Sequence, residues 1–178
     1  MLLFAVLSEV PFDLMYGGTV FYPVHQNVIW TLLLGLLGIR LMEAARAKGK
    51  RWLYVLTCAA VVVLGFALGT LGMVDYYGAG VLTVFAFYFF RERKWWCLLG
   101  QLAALYWLNV AVLGGQMYPV TLFGREIELC EQGLALLALV PIWLYRGRQG
   151  HHSKAFQYAC YAFYPAHMLV LALLTMIQ

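Results

Sequence analysis

Five ionisable residues lie inside or at the edge of long apolar segments of this 178-residue chain. They are Glu9, Asp13, Asp75, Glu131 and His167. An ionisable side chain at membrane depth is costly and usually faces the interior of a helix bundle or a wet cavity. A histidine within reach of a carboxylate is a common proton-transfer pair near neutral pH. These five residues are therefore candidates for acid–base chemistry.

Neutral polar residues accompany them in the same apolar segments. The companions are Gln26, Asn27, Asn109, Gln132 and Tyr164. Polar side chains of this kind also form hydrogen bonds between helices without any chemistry, and that interpretation stays open for each single carboxylate. It stays open for the histidine as well, because a proline two residues before it frees a backbone carbonyl that a polar side chain can satisfy.

Other candidates carry weaker signals. His25 and the pair His151 and His152 stand in predicted loops, where we expect them to be solvated and not catalytic. The four cysteines, Cys58, Cys97, Cys130 and Cys160, stand in different apolar segments without a C-x-x-C pair. The sequence therefore predicts neither a metal site nor a disulfide framework.

Composition shows what kind of protein must position these residues. Hydrophobic residues make up 64% of the chain and charged residues 11%, whereas soluble domains average roughly 45 to 50% and about 25%. The mean hydropathy is +0.79. The net charge of +4 comes from 12 Lys and Arg residues, which lie in short separate clusters and do not indicate nucleic-acid binding. Most soluble classes are excluded, and an integral protein of the lipid bilayer remains.

Apolar segments recur along the whole chain. They cover residues 1–16, 28–45, 52–74, 77–90, 95–113, 127–145 and 155–177. A membrane-spanning helix needs about 20 residues, so the first and fourth are short. The sequence predicts an all-α, polytopic membrane helix bundle of about six to seven transmembrane segments, forming a single domain over residues 1–178.

Basic loops predict the orientation of these segments. Lys and Arg concentrate in the stretches 46–51, 91–94 and 146–154, with two segments between each pair of stretches. All three can therefore be cytoplasmic at once, as the positive-inside rule requires. The C-terminus then lies outside, and the five ionisable residues gather in the outer half of the bilayer.

Several polar strings resemble motifs of the TraX family, integral membrane proteins associated with conjugative pilus biogenesis and N-terminal acetylation of pilin. The strings are SEVPFD at 8–13, QN at 26–27, DYYGAGVL at 75–82, QGLA at 132–135 with WLYRG at 143–147, and FYPAH at 163–167. They occur in the family order, and the resemblance spans essentially the whole chain. Family members usually begin with two further spans, so the resemblance implies either an alternative start or a shortened form.

The resemblance implies acyl transfer in a bacterial cytoplasmic membrane. The donor would be acyl-CoA or acetyl-CoA, and the acceptor an amine or hydroxyl of a pilin N-terminus, another peptide, a lipid or a glycan. Such a reaction needs a base and a donor for the developing oxyanion. His167 is the expected base, with Glu131 or Asp75 holding its ring. The expected substrate-binding residues are Glu9, Asp13, Asn27, Tyr164 and Gln132.

A non-catalytic function is the alternative. A small transport or scaffold protein could use the same polar cluster to bind a proton, an ion or a partner helix. Transport would require a continuous polar track through both leaflets, whereas the polar residues lie on one side only. The pattern therefore disfavours transport but says little against a scaffold.

Overall fold

The structure is a computed structural model that describes residues 1–122, 125–145, 147, 150 and 153–177. The α-helices are α1 (Leu2–Gly17), α2 (Val28–Ala47), α3 (Arg51–Leu71), α4 (Tyr77–Phe89), α5 (Trp95–Tyr106), α6 (Leu139–Leu144) and α7 (Lys154–Ile177). A π-helical stretch, Trp107–Leu113, continues α5. Strands β1 (Met117–Leu122) and β2 (Arg125–Cys130) form an antiparallel hairpin, which a 3-10 helix, Glu131–Ala138, follows.

Apolar helices dominate the chain, and the predicted all-α membrane fold is confirmed. In the described part of the chain, four helices are long and apolar enough to cross a membrane: Val28–Ala47, Arg51–Leu71, Trp95–Leu113 and Lys154–Thr175. Tyr77–Phe89 and Glu131–Leu144 are shorter apolar helices. The observed helix bounds follow the predicted segments closely, because long apolar runs are a local signal.

The chain forms two compact units. The first consists of Met1–Val81 with Gln149–Gln178, and the second of Leu82–Arg148. The predicted single domain over residues 1–178 stays a prediction. Arg146, Arg148, His151, His152 and Gln178, on which part of the predicted orientation rests, lie outside the described residues.

In the first unit, α1 packs along α7 and α2 along α3. The Phe4 and Tyr161 rings meet between α1 and α7, with centroids 5.2 Å apart. The buried stripe of α2 includes Gly35 and Gly38, spaced so that both lie on one face. Small residues on such a face let neighbouring membrane helices approach closely.

In the second unit, the structure corrects the predicted span over residues 127–145. The helix begins at Glu131, and the preceding residues belong to β2, in which Cys130 pairs with Met117. Polar and apolar residues alternate from Glu126 to Leu129, and this period of two favours a strand. Glu131 therefore opens the helix, whereas the sequence placed it about five residues inside.

Candidate functional site

A pair of connections in the first unit brings the polar residues together. The α1–α2 connection and the α3–α4 connection meet at a parallel bridge between Gln26 and Val74. The Gln26 backbone amide donates to the Met73 carbonyl at 2.9 Å. The bridge places His25 on one connection beside Asp75 on the other.

His25 and Asp75 form a histidine–carboxylate pair. The His25 Nε2 atom lies 3.4 Å from Asp75 Oδ1, and His25 is 8% exposed. Aromatic rings hold the imidazole: Tyr16 stacks on it at 4.7 Å, and Tyr77 meets it edge-on at 5.6 Å. An ionised carboxylate can only accept hydrogen bonds, so the proton of the neutral ring lies on Nε2 and the lone pair on Nδ1.

The backbone of Asp75 is also fixed by a hydrogen bond. The Thr31 hydroxyl donates to the Asp75 carbonyl at 2.7 Å. Burial raises the pKa of the Asp75 carboxyl above its ordinary value of 3.8, and the hydrogen bond from His25 opposes this rise. Its neighbours Met73, Tyr76 and Tyr77 have φ values of 50°, 59° and 50°. Side chains with a Cβ rarely adopt this region, and such strain clusters at functional sites.

Glu9 lies at the centre of a second network, which Asn27 organises. The Asn27 Oδ1 atom caps α2 by accepting from the Ile29 amide at 3.0 Å. The Asn27 Nδ2 atom donates to the Ala5 carbonyl at 2.9 Å and also to Glu9 Oε2. The Trp30 Nε1 atom donates to the same Glu9 oxygen at 2.9 Å. One N-cap residue therefore joins α2 to α1 through both its amide atoms.

Asp13 lies one turn after Glu9 on the same face of α1. It is 2% exposed, and its Oδ2 atom accepts from the Tyr22 amide at 2.9 Å. Among the described residues, Ser8 Oγ, Glu9 Oε1 and Asp13 Oδ1 are buried side-chain oxygens without a hydrogen-bond partner. Buried acceptors of this kind are costly unless a donor reaches them, and a bound substrate can supply that donor.

Helix α7 contributes Tyr164 and His167 to the first unit. The Tyr164 hydroxyl lies beside the Val28 backbone amide and within electrostatic range of Asp75 and Glu9. The His167 Nδ1 atom lies 3.1 Å from the Phe163 carbonyl. A carbonyl only accepts, so Nδ1 carries the proton and Nε2 the lone pair. Among the described residues of the first unit, no carboxylate lies within hydrogen-bonding distance of His167, whose local partner is the backbone of its own helix.

The remaining predicted site residues belong to the second unit. Glu131 is exposed, and its backbone amide donates to the Gln116 carbonyl at 3.0 Å. Gln132 follows it in the same 3-10 helix and packs beside Gly115. The Asn109 side chain donates to the Leu105 carbonyl at 2.8 Å within its own helix. The roles predicted for Glu131 and Gln132 stay predictions.

Two residues of this site, His25 and Trp30, are not among the predicted site residues. The expectation that His25 is solvated is wrong, since the ring is buried among aromatic residues. Its position two residues before the Asn27 cap is the only local signal that could have pointed to it. Trp30 lies three residues after Asn27, in the first turn of α2, where its indole donor reaches Glu9.

Comparison with known proteins identifies the family. The family model described as TraX protein matches residues 1–175, which include every polar string that carries the resemblance. No curated protein and no solved structure matches the chain. The family match covers nearly the whole sequence and confirms the resemblance, and the chain therefore belongs to the TraX family.

Proposed function

We propose that this TraX-family chain is an integral-membrane acyltransferase. It moves an acyl group from acyl-CoA or acetyl-CoA to an amine or hydroxyl acceptor, with a pilin N-terminus as one example and another peptide, a lipid or a glycan as others. The observation that carries the proposal is the buried His25–Asp75 pair, with its 3.4 Å separation. A buried histidine oriented by a carboxylate is well suited to act as a general base near neutral pH.

In the proposed reaction, the lone pair on His25 Nδ1 takes the proton of the acceptor as its nitrogen or oxygen attacks the thioester carbonyl. Asp75 stays ionised and stabilises the imidazolium through Nε2. The tetrahedral intermediate then collapses, the carbon–sulfur bond breaks, and the proton passes from His25 to the departing thiolate. The acceptor gains the acyl group, and free coenzyme A leaves.

The acceptor would be held by the unpartnered carboxyl oxygens of α1. Asn27 and Trp30 fix one oxygen of Glu9, and the Tyr22 amide fixes one oxygen of Asp13. The other oxygen of each carboxyl group is buried, with no donor among the described residues. An amine or a hydroxyl brings donors, and Tyr164 adds a hydroxyl that can donate to the developing oxyanion.

His167 is the competing base. Its bond to the Phe163 carbonyl at 3.1 Å also fixes one tautomer and leaves Nε2 able to accept a proton. It differs from His25 in that its described orienting partner is a neutral carbonyl, which stabilises an imidazolium less than a carboxylate does. We therefore propose His25 as the base and His167 as the alternative.

The test compares His25→Gln and His167→Gln in membranes, with His152→Gln as the matched control. Transfer from labelled acetyl-CoA to a peptide with a free N-terminal amine is measured, and folded protein is quantified in parallel. Loss of a general base reduces the rate by about two to four orders of magnitude, and we expect this for His25→Gln at normal protein levels. A similar loss in His167→Gln alone would move the base to α7. Unchanged transfer in both variants would reject both histidines as the base, and absence of transfer by the parent protein would favour the scaffold alternative.

We further propose that the protein resides in a bacterial cytoplasmic membrane with its basic loops in the cytoplasm. The support is the even spacing of those loops between apolar helices. In this orientation the basic loops face a soluble acyl-CoA donor, whereas His25 and Asp75 lie toward the outer side, so the thioester of the donor would have to reach them between the helices.

A further inference from the structure

A small polar cleft lies in the second unit, where α4 ends and α5 begins. Its volume is about 80 Å³, and its lining residues are Arg91, Glu92, Arg93, Gln101, Ile142 and Trp143. A cavity needs roughly 10 to 15 Å³ of such volume to hold one water molecule. The cleft therefore has room for one compact polar group.

A buried amide forms the rigid wall of the cleft. Gln101 is 5% exposed, and its Nε2 atom donates to the Phe90 carbonyl at 2.8 Å. Its Oε1 atom accepts from Trp143 Nε1 at 2.6 Å. Gln101 thus ties the end of α4 and the C-terminal end of α6 to α5. Because both ends of the amide are engaged, the wall is fixed before any ligand arrives.

The open side of the cleft is strongly basic. The loop 91–94 carries three basic side chains against one acidic one, a net charge of +2. Glu92 lies 2.5 Å from Lys94 Nζ, so these two charges are paired within the loop. The Arg91 guanidinium lies over the Tyr88 ring, 4.7 Å from its centroid. This stacking orients one of the two guanidinium groups at the cleft.

We propose that this cleft binds the phosphate group of a phosphate ester. Arginine presents a planar fork of donors that matches phosphate oxygens, and arginine is favoured wherever such oxygens must be recognised. Trp95 and Trp96 follow the loop directly, as is typical of a membrane–water boundary. Two sources of phosphate meet at that boundary: the nucleotide part of an acyl-CoA and the head group of an anionic phospholipid. For the acyl-CoA source, the inference rests on the proposed function.

The test measures binding by the full-length protein and involves no acyl transfer. In one arm, coenzyme A is titrated calorimetrically into protein held in nanodiscs of neutral phosphatidylcholine. In the other, native mass spectrometry counts the phosphatidylglycerol that the protein retains from a mixture with phosphatidylcholine. The variants are Arg93→Gln, which removes the charge, and Arg93→Lys, which keeps the charge but loses the fork. Lys48→Gln is the matched control, because it removes one basic charge from another predicted cytoplasmic loop.

We expect Arg93→Gln to weaken binding in at least one arm by about tenfold or more, as loss of a charge-assisted hydrogen bond does. Lys48→Gln should stay within about twofold of the parent. The arm that responds identifies the source of the phosphate. Equal binding by parent and Arg93→Gln in both arms would overturn the proposal, and so would an equal loss in Lys48→Gln. If Arg93→Gln does not accumulate, the same two measurements are made with Arg93→Lys, which should also bind more weakly because it lacks the fork of donors. Unchanged binding by Arg93→Lys would overturn the proposal.

Failure of this inference and failure of the proposed function can be told apart. If neither binding arm supports the inference, the result of the His25 assay is unaffected, because that assay measures acyl transfer and not phosphate binding. Conversely, a response in the phosphatidylglycerol arm alone would assign the cleft to a lipid head group and leave the donor site elsewhere.

Discussion

His25 Nε2 lies 3.4 Å from Asp75 Oδ1, although 50 residues separate them in the chain. Neither residue belongs to a membrane-spanning helix, and the bridge between Gln26 and Val74 holds their two connections side by side. A pair joined in this way should act as a unit, so that removing either member removes the function of both.

The first prediction concerns this coupling. Asp75→Asn should lower acyl transfer by one or more orders of magnitude at normal protein levels, because the imidazolium loses its counter-charge. Combining it with His25→Gln should add little, since the two residues form one functional group. Rates of the parent, both single variants and the double variant check this. Glu126→Gln, an exposed acidic residue of the hairpin, is the control, and strictly additive losses would contradict a functional pair.

The second prediction concerns the Asn27 network. Asn27→Ala removes the cap of α2, typically worth about 1 kcal/mol, and also leaves Glu9 Oε2 with one donor fewer. Its free energy of unfolding should therefore fall by more than the cap alone explains. Asn27→Ser keeps a capping oxygen and should recover only part of the loss. Thermal unfolding in detergent compares the stability of the parent, Asn27→Ala and Asn27→Ser. If Asn27→Ser were as stable as the parent, the amide contact with Glu9 would contribute nothing to stability.

The third prediction concerns pH. Burial raises the pKa of Asp75 above 3.8, so the folded protein holds this proton more tightly than the unfolded chain does. The contribution of Asp75 to stability is then present below the unfolded pKa and is lost as the pH rises through the higher folded pKa. Asp75→Asn has no proton to lose, so its melting temperature should rise relative to the parent's between about pH 4 and pH 7. Melting curves of both proteins at the two ends of this pH range check the sign. The prediction would be wrong if the melting temperature of the parent rose relative to that of the variant as the pH increases.

The fourth prediction concerns orientation. In a chain whose four cysteines are replaced, Lys48→Cys and Arg93→Cys should react with a membrane-impermeant thiol reagent only after the cells are opened. Gln116→Cys, beside the hairpin, should react in intact cells, because the positive-inside rule puts it on the outer side. Labelling of position 48 from outside would reject the orientation and the depth assignments that depend on it.

The sequence by itself determined the apolar helices and the family. Long hydrophobic runs, the Asn27 cap and the five polar strings are local features, and helix α2 begins at Val28 as predicted because its start depends only on neighbouring residues. The alternating stretch Glu126 to Leu129 is equally local, but it leads directly into the long apolar run after Gln132, so the predicted helix included part of strand β2.

Only the tertiary structure decided which polar residues meet. The bond between Asn27 and Glu9 joins residues 18 positions apart, and the His25–Asp75 pair spans 50. Such contacts depend on how two connections fold back against each other, which hydrophobic periodicity does not encode. A loop histidine is solvated by default, and His25 is buried because rings from α1 and α4 close around it. That enclosure requires packing of distant helices, so the sequence alone could not assign the histidine that faces the carboxylate.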